Sequence, residues 1–266
     1  MGARPLNREE IARRVCERLG WISRGGQYQV MSAKVGLLRL HRTGLITLPP
    51  PMRKNGQGRR FRDHIVTMPK EKKVETPADK LCGLTLLPIA SAEQSALYNE
   101  LLKRYHYLGY TPLVGAQLRY FFSWDDGLLG IIGFGAAAWK LASRDSFIGW
   151  QRSVREKNLH LVLNNARFLI LPWVRSKNLA SKVLGLCARR IPGDFLNSYG
   201  YAPVLLETFV QHGRFLGTCY RAANWTFVGQ TKGRGKKHVY KTPGVAIKDI
   251  WLYPLHPNFR RVLQSE

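Results

Sequence analysis

The amino-acid sequence predicts a mixed α/β fold that follows a small helical module. From about residue 81 onward, short apolar runs alternate with amphipathic helical patterns, which is typical of a sheet with helices on its faces. Residues 5–48 instead carry two helical patterns, and a proline-rich, cationic stretch follows them. We therefore divide the chain into a module at 1–51, a basic linker at 52–80 and an α/β domain at 81–266.

The module opens with an amphipathic helix. Asn7 is a favourable N-cap residue, and Ile11, Val15 and Leu19 repeat every four residues on one helical face. Gly20 ends the pattern.

A second helix is expected from about residue 32 to 43, with Val35, Leu38 and Leu40 facing inward. Its polar face is basic and carries Lys34, Arg39, His41 and Arg42. Residues 45–48 form a short apolar run before three prolines and resemble a strand. Helix, turn, basic helix and strand is the layout of a winged helix-turn-helix, which places the second helix in a DNA groove. A packing module with an exposed basic face is the alternative.

The basic linker combines prolines, glycines and many cations. Arg59, Arg60 and Arg62 lie in it, and such a segment either is simply solvated or follows a phosphate backbone.

The α/β domain is predicted element by element from periodicity. Strands are expected at 84–89, 117–124, 128–134, 167–171, 204–210, 226–230 and 250–254, and helices at 91–107, 153–161, 177–190 and 217–224. Asp125, Asp126 and Gly127 between the second and third strands are a strong hairpin signal.

The charge balance is the clearest indication of a partner. Forty-two lysines and arginines face seventeen acidic residues, which gives a formal net charge of +25 and a pI near 10.4. Such a chain concentrates polyanions around itself, and its affinity for them depends strongly on salt. We expect DNA as the partner; a ribosome-bound or merely basic protein is the alternative.

The compartment is predicted from cysteines and hydropathy. Cys16, Cys82, Cys187 and Cys219 form no C-x-x-C pair, which disfavours a zinc site or a disulfide framework and fits a reducing cytoplasm. The sequence has no long apolar run, so we expect no membrane association.

Two stretches resemble the GNAT acyltransferases. Residues 168–180, FLILPWVRSKNLA, are similar to that superfamily's strand, phosphate loop and helix, with Asn178 and Ala180 where the loop usually has glycine or alanine. Tyr220, in CYRAANW, falls where those enzymes often have a general acid. The resemblance implies a GNAT-like sheet; Asn178 crowds the loop, so coenzyme A is disfavoured as a cofactor.

A closer resemblance covers nearly the whole chain. The phrases PLVGAQLRY (112–120), AWKLASRD (138–145), NNARFLILP (164–172), LLETF (205–209) and GTCYRAANW (217–225) resemble the DruA family of the Druantia anti-phage systems, whose relatives are transposase-associated. This implies a DNA-associated role in defence or DNA mobility, with a helicase or other system proteins as partners.

Metal-dependent strand cleavage is one chemistry that the sequence allows. Asp145, Glu207 and Asp249 lie at or beside element ends, and converging carboxylates hold the Mg²⁺ or Mn²⁺ that such cleavage requires. Ion pairs with neighbouring bases are the alternative for each acid.

A covalent mechanism of strand cleavage is a second chemistry that the sequence allows. Tyr220 is a candidate nucleophile, and Cys219 beside Arg221 is a candidate low-pKa thiol. A structural tyrosine on a short helix is the alternative.

Residues for binding DNA follow from the distribution of cations and aromatic rings. His106 between Tyr105 and Tyr107 has the pattern of a base-stacking site, and core packing is the alternative. Beyond the module and linker, the expected phosphate contacts are Lys140, Arg144, Arg167, Arg175, Lys177, Arg221, Arg234, Lys236 and Lys237.

Three functions remain open at this point. We favour a DNA strand-processing enzyme over a non-enzymatic adaptor that recognises DNA for partner proteins, and both over an acyl-CoA-dependent transferase.

Overall fold

A computed structural model describes residues 6–22, 27–50, 66–113, 115–125, 127–233 and 246–265. The chain divides into two compact units, Met1–Asp63 and His64–Glu266. Each unit is described by itself.

The first unit contains α1 (Arg8–Leu19) and α2 (Val30–Arg42). Asn7 caps α1 as predicted: its side chain accepts from the backbone of Glu9 and Glu10, and the Glu10 carboxylate accepts from the Asn7 N–H at 2.8 Å. Gly20 ends α1 in the left-handed conformation.

The winged-helix interpretation of this unit is not confirmed. The predicted strand at 45–48 is irregular backbone rather than a strand. Two of the three α2 residues that were predicted to face inward do not, because Val35 and Leu40 are 52% and 41% exposed, whereas Leu38 is half-buried. The two helices meet instead through small residues, Ala12, Cys16 and Ala33, which allow close helix contact.

The second unit contains a seven-stranded mixed sheet in the described part of the chain, in the order β1-β2-β3-β4-β5-β7-β6. The strands are β1 (Thr85–Pro88), β2 (Leu118–Trp124), β3 (Gly127–Ala136), β4 (Val162–Ile170), β5 (Leu205–Gln211), β6 (Thr226–Gln230) and β7 (Lys248–Pro254). Among the described pairings β4 and β5 run parallel, and the other neighbours are antiparallel. The predicted fold class, a mixed α/β sheet with helices on its faces, is confirmed.

Helices cover both faces of this sheet. They are α3 (Ala92–Tyr105), α4 (Ala142–Ile148), α5 (Arg152–Asn158), α6 (Leu179–Tyr199), α7 (Thr218–Ala222) and α8 (Phe259–Gln264). One apolar cluster contains buried residues of α3 and α6, and a second packs α4, α5 and α8 against β5 and β7. No helix in the described ranges is both long and apolar enough to cross a membrane.

Some element bounds differ from the sequence prediction. The chain also forms the short helices α4 and α8, which were not predicted from the sequence. Helix α6 continues to Tyr199 although Pro192 lies inside it. Strand β4 begins at Val162, five residues before its predicted start. The prediction missed these residues because the polar Asn164 and Asn165 interrupt the apolar pattern of the strand.

The end of the predicted linker belongs to the second unit. The Val74 N–H donates to Trp173 O at 3.1 Å, and the Ala78 N–H donates to Lys177 O at 2.9 Å. Val74 and Ala78 are 5% and 1% exposed, so this part of 52–80 packs into the core rather than running free.

A bulge in β4 positions the functional site. Gly133 on β3 pairs with Arg167 while Phe134 pairs with Asn165, which leaves Ala166 as an extra residue on β4. Beyond this point β4 no longer pairs with β5, since their register ends at Asn165 and Thr208. The two parallel strands therefore separate and leave a cleft between them.

Candidate functional site

The cleft between the separated strands has a volume of about 530 Å³. Strands β4 and β5 form its sides, and the end of α3, the loop after β5 and helix α7 close it. Its lining residues are Tyr105–Leu108, Asn164–Ile170, Thr208–Val210, Phe215–Tyr220 and Lys248. This is within the range of pockets that take a small ligand or one unit of a larger one.

The cleft has a strongly one-sided charge. None of the described residues that line it is an aspartate or glutamate, whereas Arg167 and Lys248 both contribute to the lining. Arg167 donates through Nη1 to Ala166 O at 2.7 Å, but its buried Nε has no hydrogen-bond partner among the described residues. Arg167 also has no ion pair in the described part of the chain. An anion is the ligand that would satisfy this guanidinium.

A buried hydrogen-bond network stands where the strands separate. The Asn165 side chain donates to Gly133 O and to Arg167 O, both at 3.2 Å, and so satisfies carbonyls around the bulge. The Tyr220 hydroxyl donates to Asn165 Oδ1 at 2.8 Å, and Thr208 Oγ1 donates to Asn165 O at 3.0 Å. These bonds join α7, β4 and β5 at one point.

The network assigns Tyr220 a structural position rather than the predicted nucleophilic one. Its hydroxyl is donated inside the protein, and burial raises the pKa of Tyr220, so the phenolate is disfavoured. The neighbouring thiol differs from its prediction too, because burial raises the pKa of Cys219 instead of lowering it.

Aromatic rings line the mouth of the cleft. His106 and Tyr107 stack with ring centroids 4.9 Å apart, and Phe215 meets Tyr107 edge-on at 5.1 Å. The Arg214 guanidinium lies 4.5 Å from the Tyr107 centroid. The stacking pattern predicted around His106 is therefore located at the cleft.

His106 is an uncharged imidazole at neutral pH. Burial is the main cause that lowers the pKa of His106 to about 4, and the nearby Arg167 adds to it. The ring thus contributes an aromatic face, rather than a second cation, to the cleft.

The predicted metal ligand Glu207 is occupied by a buried ion pair. Its Oε2 accepts from Arg144 Nη1 and its Oε1 from the Ala138 N–H, at 2.8 and 2.7 Å, and neither Glu207 nor Arg144 is exposed to solvent. Burial raises the pKa of Glu207, and the Arg144 charge opposes that shift.

Asp145 lies on the other side of the same guanidinium. Its Oδ1 accepts from Arg144 Nε and Nη2 at 3.0 and 2.8 Å and from Trp150 Nε1 at 3.1 Å. Its Oδ2 lies 3.2 Å from Arg155 Nη1. The ion-pair alternative thus describes Asp145 and Glu207.

Asp249 lies apart from these two acids. In the β5–β7 register it is opposite Val210, whereas Glu207 is opposite Leu252. Because side chains alternate along strands, Asp249 and Glu207 point to opposite faces of the sheet. Asp249 instead accepts from Gln230 Nε2 at 2.8 Å and pairs with His212 at 3.1 Å.

The three predicted metal ligands are consequently not brought together. Within the described ranges, no group of three histidines, cysteines or acids is placed to hold a metal ion.

The predicted phosphate contacts have different outcomes. Arg144 was assigned incorrectly, because its guanidinium is fully buried between two carboxylates. Lys34 lies in an ion pair with Glu9 at 2.9 Å. Arg39, Arg42, Lys140, Arg175, Lys177 and Arg221 are exposed, and Arg59, Arg60, Arg62, Arg234, Lys236 and Lys237 lie outside the described residues.

The resemblance to a coenzyme A loop centres on Asn178. This residue precedes α6 in the left-handed conformation, with φ of 64°. The backbone shape is the one that glycine would adopt, but a side chain stands at the helix N-terminus, so the loop remains more crowded than the glycine form.

Comparison with known proteins identifies the family. The family model described as Druantia protein DruA matches residues 39–245. The chain belongs to the DruA family. The match spans most of the α/β unit, including all the described lining of the cleft except Lys248. This membership supports a role in Druantia anti-phage defence. No match was found among curated proteins.

Solved structures with similar folds include several acetyltransferases. A spermidine N-acetyltransferase chimera from Vibrio cholerae and hSSAT has a TM-score of 0.43 and 10% identity, over 65% of this chain and 95% of that one. The ribosomal-protein-S18-alanine N-acetyltransferase of Escherichia coli gives 0.40 and 8%, over 66% and 97%. We infer neither an activity nor a ligand from likenesses at these scores.

Removing the Glu207 carboxylate should destabilise the fold. We expect Glu207→Ala to lower the free energy of unfolding by about 3–5 kcal/mol, because Arg144 would remain buried without its partner. Urea denaturation measures this change. The control is Glu75→Ala, whose exposed pair with Lys73 lies outside this network and whose loss should leave the free energy of unfolding nearly unchanged. A Glu207→Ala protein as stable as the control would contradict a structural role.

Acid should weaken the fold through His106. The unfolded chain binds this proton below a pKa of about 6.5, whereas the folded chain binds it only near pH 4. The stability is thus fully present above pH 6.5 and is lost as the pH falls from 6.5 toward 4. Urea denaturation across that window should show a smaller loss for His106→Gln than for wild type. The control is His256→Gln, outside the cleft; equal losses in wild type and His106→Gln would contradict the assignment.

Proposed function

We propose that this DruA chain is the DNA-binding component of a Druantia anti-phage system and that its cleft contacts the DNA. The observation that carries the proposal is a cleft whose described lining holds no acid but includes Arg167, which has no ion pair in the described part of the chain. A phosphate oxygen in the cleft would supply the opposite charge and a charge-assisted hydrogen bond to the accessible part of the Arg167 guanidinium. The guanidinium would then be both neutralised and hydrogen-bonded in one contact.

The overall charge supports a polyanionic partner. A formal net charge of +25 attracts DNA over long distances and releases counterions when phosphates are neutralised. Exposed cations outside the cleft, such as Arg175 and Lys177 before α6, offer further phosphate contacts in the same unit. Affinity should therefore be shared between a general electrostatic contribution and a local one at Arg167.

We propose recognition of DNA rather than strand cleavage. The carboxylates of Glu207 and Asp145 already accept hydrogen bonds from Arg144, and Asp249 lies on the other sheet face. The Tyr220 hydroxyl is likewise committed to Asn165. The groups predicted for catalysis therefore hold the fold together, which favours an adaptor that presents DNA to partner proteins such as a helicase.

Replacing Arg167 tests the proposal. Arg167→Gln should weaken binding of single-stranded DNA by about 1.5–3 kcal/mol, the contribution of a hydrogen bond to a charged group, and lower the salt dependence by about one phosphate contact. Fluorescence anisotropy over a range of salt concentrations measures both quantities. The matched control is Arg152→Gln, which removes one exposed positive charge on α5 and should leave the salt dependence nearly unchanged.

Several outcomes would overturn the proposal. DNA binding that is unaffected by Arg167→Gln would place the contact elsewhere, and absence of salt-sensitive binding would exclude a DNA-binding role. Supercoiled plasmid with Mg²⁺ or Mn²⁺ should stay intact; scission that Glu207→Gln abolishes in a folded protein would establish the enzyme instead. Calorimetric binding of coenzyme A without DNA binding would favour the transferase.

A further inference from the structure

The mouth of the cleft carries an aromatic wall, which we define as Tyr107 and Phe215 together with His106 and Arg214. His106 stacks on Tyr107 at 4.9 Å, and Phe215 meets Tyr107 at 5.1 Å with 61° between the ring planes. Arg214 lies 4.5 Å from the Tyr107 centroid and 5.5 Å from that of Phe215. The rings are thus held by one another, although they come from two separate chain segments, the end of α3 and the loop after β5.

The wall leaves apolar surface open to solvent. Tyr107 is 37% exposed and Phe215 is 43% exposed, and Leu216 next to them is 82% exposed. Adjacent exposed rings of this kind are a common sign of a binding surface, since contiguous apolar surface is much less often exposed than single apolar side chains. The surface lies beside Arg167, so a ligand in this cleft would meet rings and a cation together.

Aromatic surface beside a cation matches one unit of a nucleic acid strand. An unpaired base offers a flat π face for stacking, and the phosphate attached to it carries the negative charge. A base inside a duplex exposes only its edges in the grooves, so its face is not available to a ring. Extruding such a base requires unstacking, which favours single-stranded DNA over duplex.

We propose that the cleft holds one unpaired nucleobase of a DNA strand, with the base against the aromatic wall and its phosphate on Arg167. This inference rests on the proposed function and adds the form of DNA that the cleft selects. The protein would then distinguish single-stranded or locally opened DNA from intact duplex. The neutral His106 ring extends the wall without repelling the adjacent guanidinium.

A free nucleotide shares this chemistry, since ATP and coenzyme A also combine a base with phosphates. The net charge of +25 favours a polymer, because many neutralised phosphates add to the affinity of a strand and few to that of a nucleotide. The experiment therefore includes both sources as separate arms.

The test uses the full chain and thymine-flanked oligonucleotides that carry a single 2-aminopurine. Binding of the single strand should quench the 2-aminopurine fluorescence, because the base stacks on a ring, and the matching duplex should bind more weakly and without quenching. Phe215→Leu and Tyr107→Leu should each weaken single-strand binding about tenfold and reduce the quenching. The matched control is Phe227→Leu on β6, an exposed ring outside the cleft, which should leave both unchanged.

The possible outcomes separate this inference from the proposed function. Salt-sensitive binding that requires Arg167 but shows no quenching, or no preference for single strands, would overturn the base site and leave the DNA-binding function standing. If the wild-type chain binds no DNA at all, both the base site and the DNA-binding function are overturned. If the Tyr107 and Phe215 variants quench the 2-aminopurine as strongly as Phe227→Leu does, the base does not stack on the aromatic wall. Binding of ATP or coenzyme A in the cleft more tightly than the oligonucleotide would assign it to a free nucleotide.

Discussion

The architecture depends on a buried ion pair. Arg144 on α4 is fully enclosed and bridges Glu207 in the middle of β5 and Asp145 on its own helix. Burying these charges is costly, and only their mutual pairing and hydrogen bonds offset the loss of hydration. The arrangement fixes α4 and the chain after β3 against β5, because Ala138 contacts both Arg144 and Glu207. One side of the strand that borders the cleft is thereby held in place.

The bulge in β4 is a second constraint, and it shapes the other side of the cleft. The extra residue Ala166 bends β4, and the Asn165 amide satisfies carbonyls that the bulge leaves beside it. Tyr220 then holds Asn165 from α7. With β5 fixed by the ion pair and β4 bent by the bulge, the two strands separate and expose Arg167. Glu207 and Tyr220, which resemble catalytic groups in the sequence, thus form hydrogen bonds inside the protein that hold the elements around the cleft.

The sequence predicted the parts of this account that depend on local patterns. Strand β6 and the capped starts of α1 and α3 follow from alternation and N-cap residues. The candidate site was harder to predict from the sequence, because acidic residues at element ends give the same pattern whether they bind a metal ion or pair with an arginine. Pairing Glu207 with Arg144 requires contacts across 63 positions. The His106–Tyr107 stack was visible as a run of rings, whereas Phe215 joins it only through the fold.

The central claim is that DNA enters this cleft, and photochemical crosslinking tests it most directly. A single-stranded oligonucleotide with one 5-iodouracil would be irradiated in complex with the full chain, and the modified peptide would be identified by mass spectrometry. The account predicts adducts at Tyr107 or Phe215, which Phe227→Leu does not affect and excess unlabelled single strand removes. Adducts confined to α2 of the first unit, with none at the cleft, would contradict it.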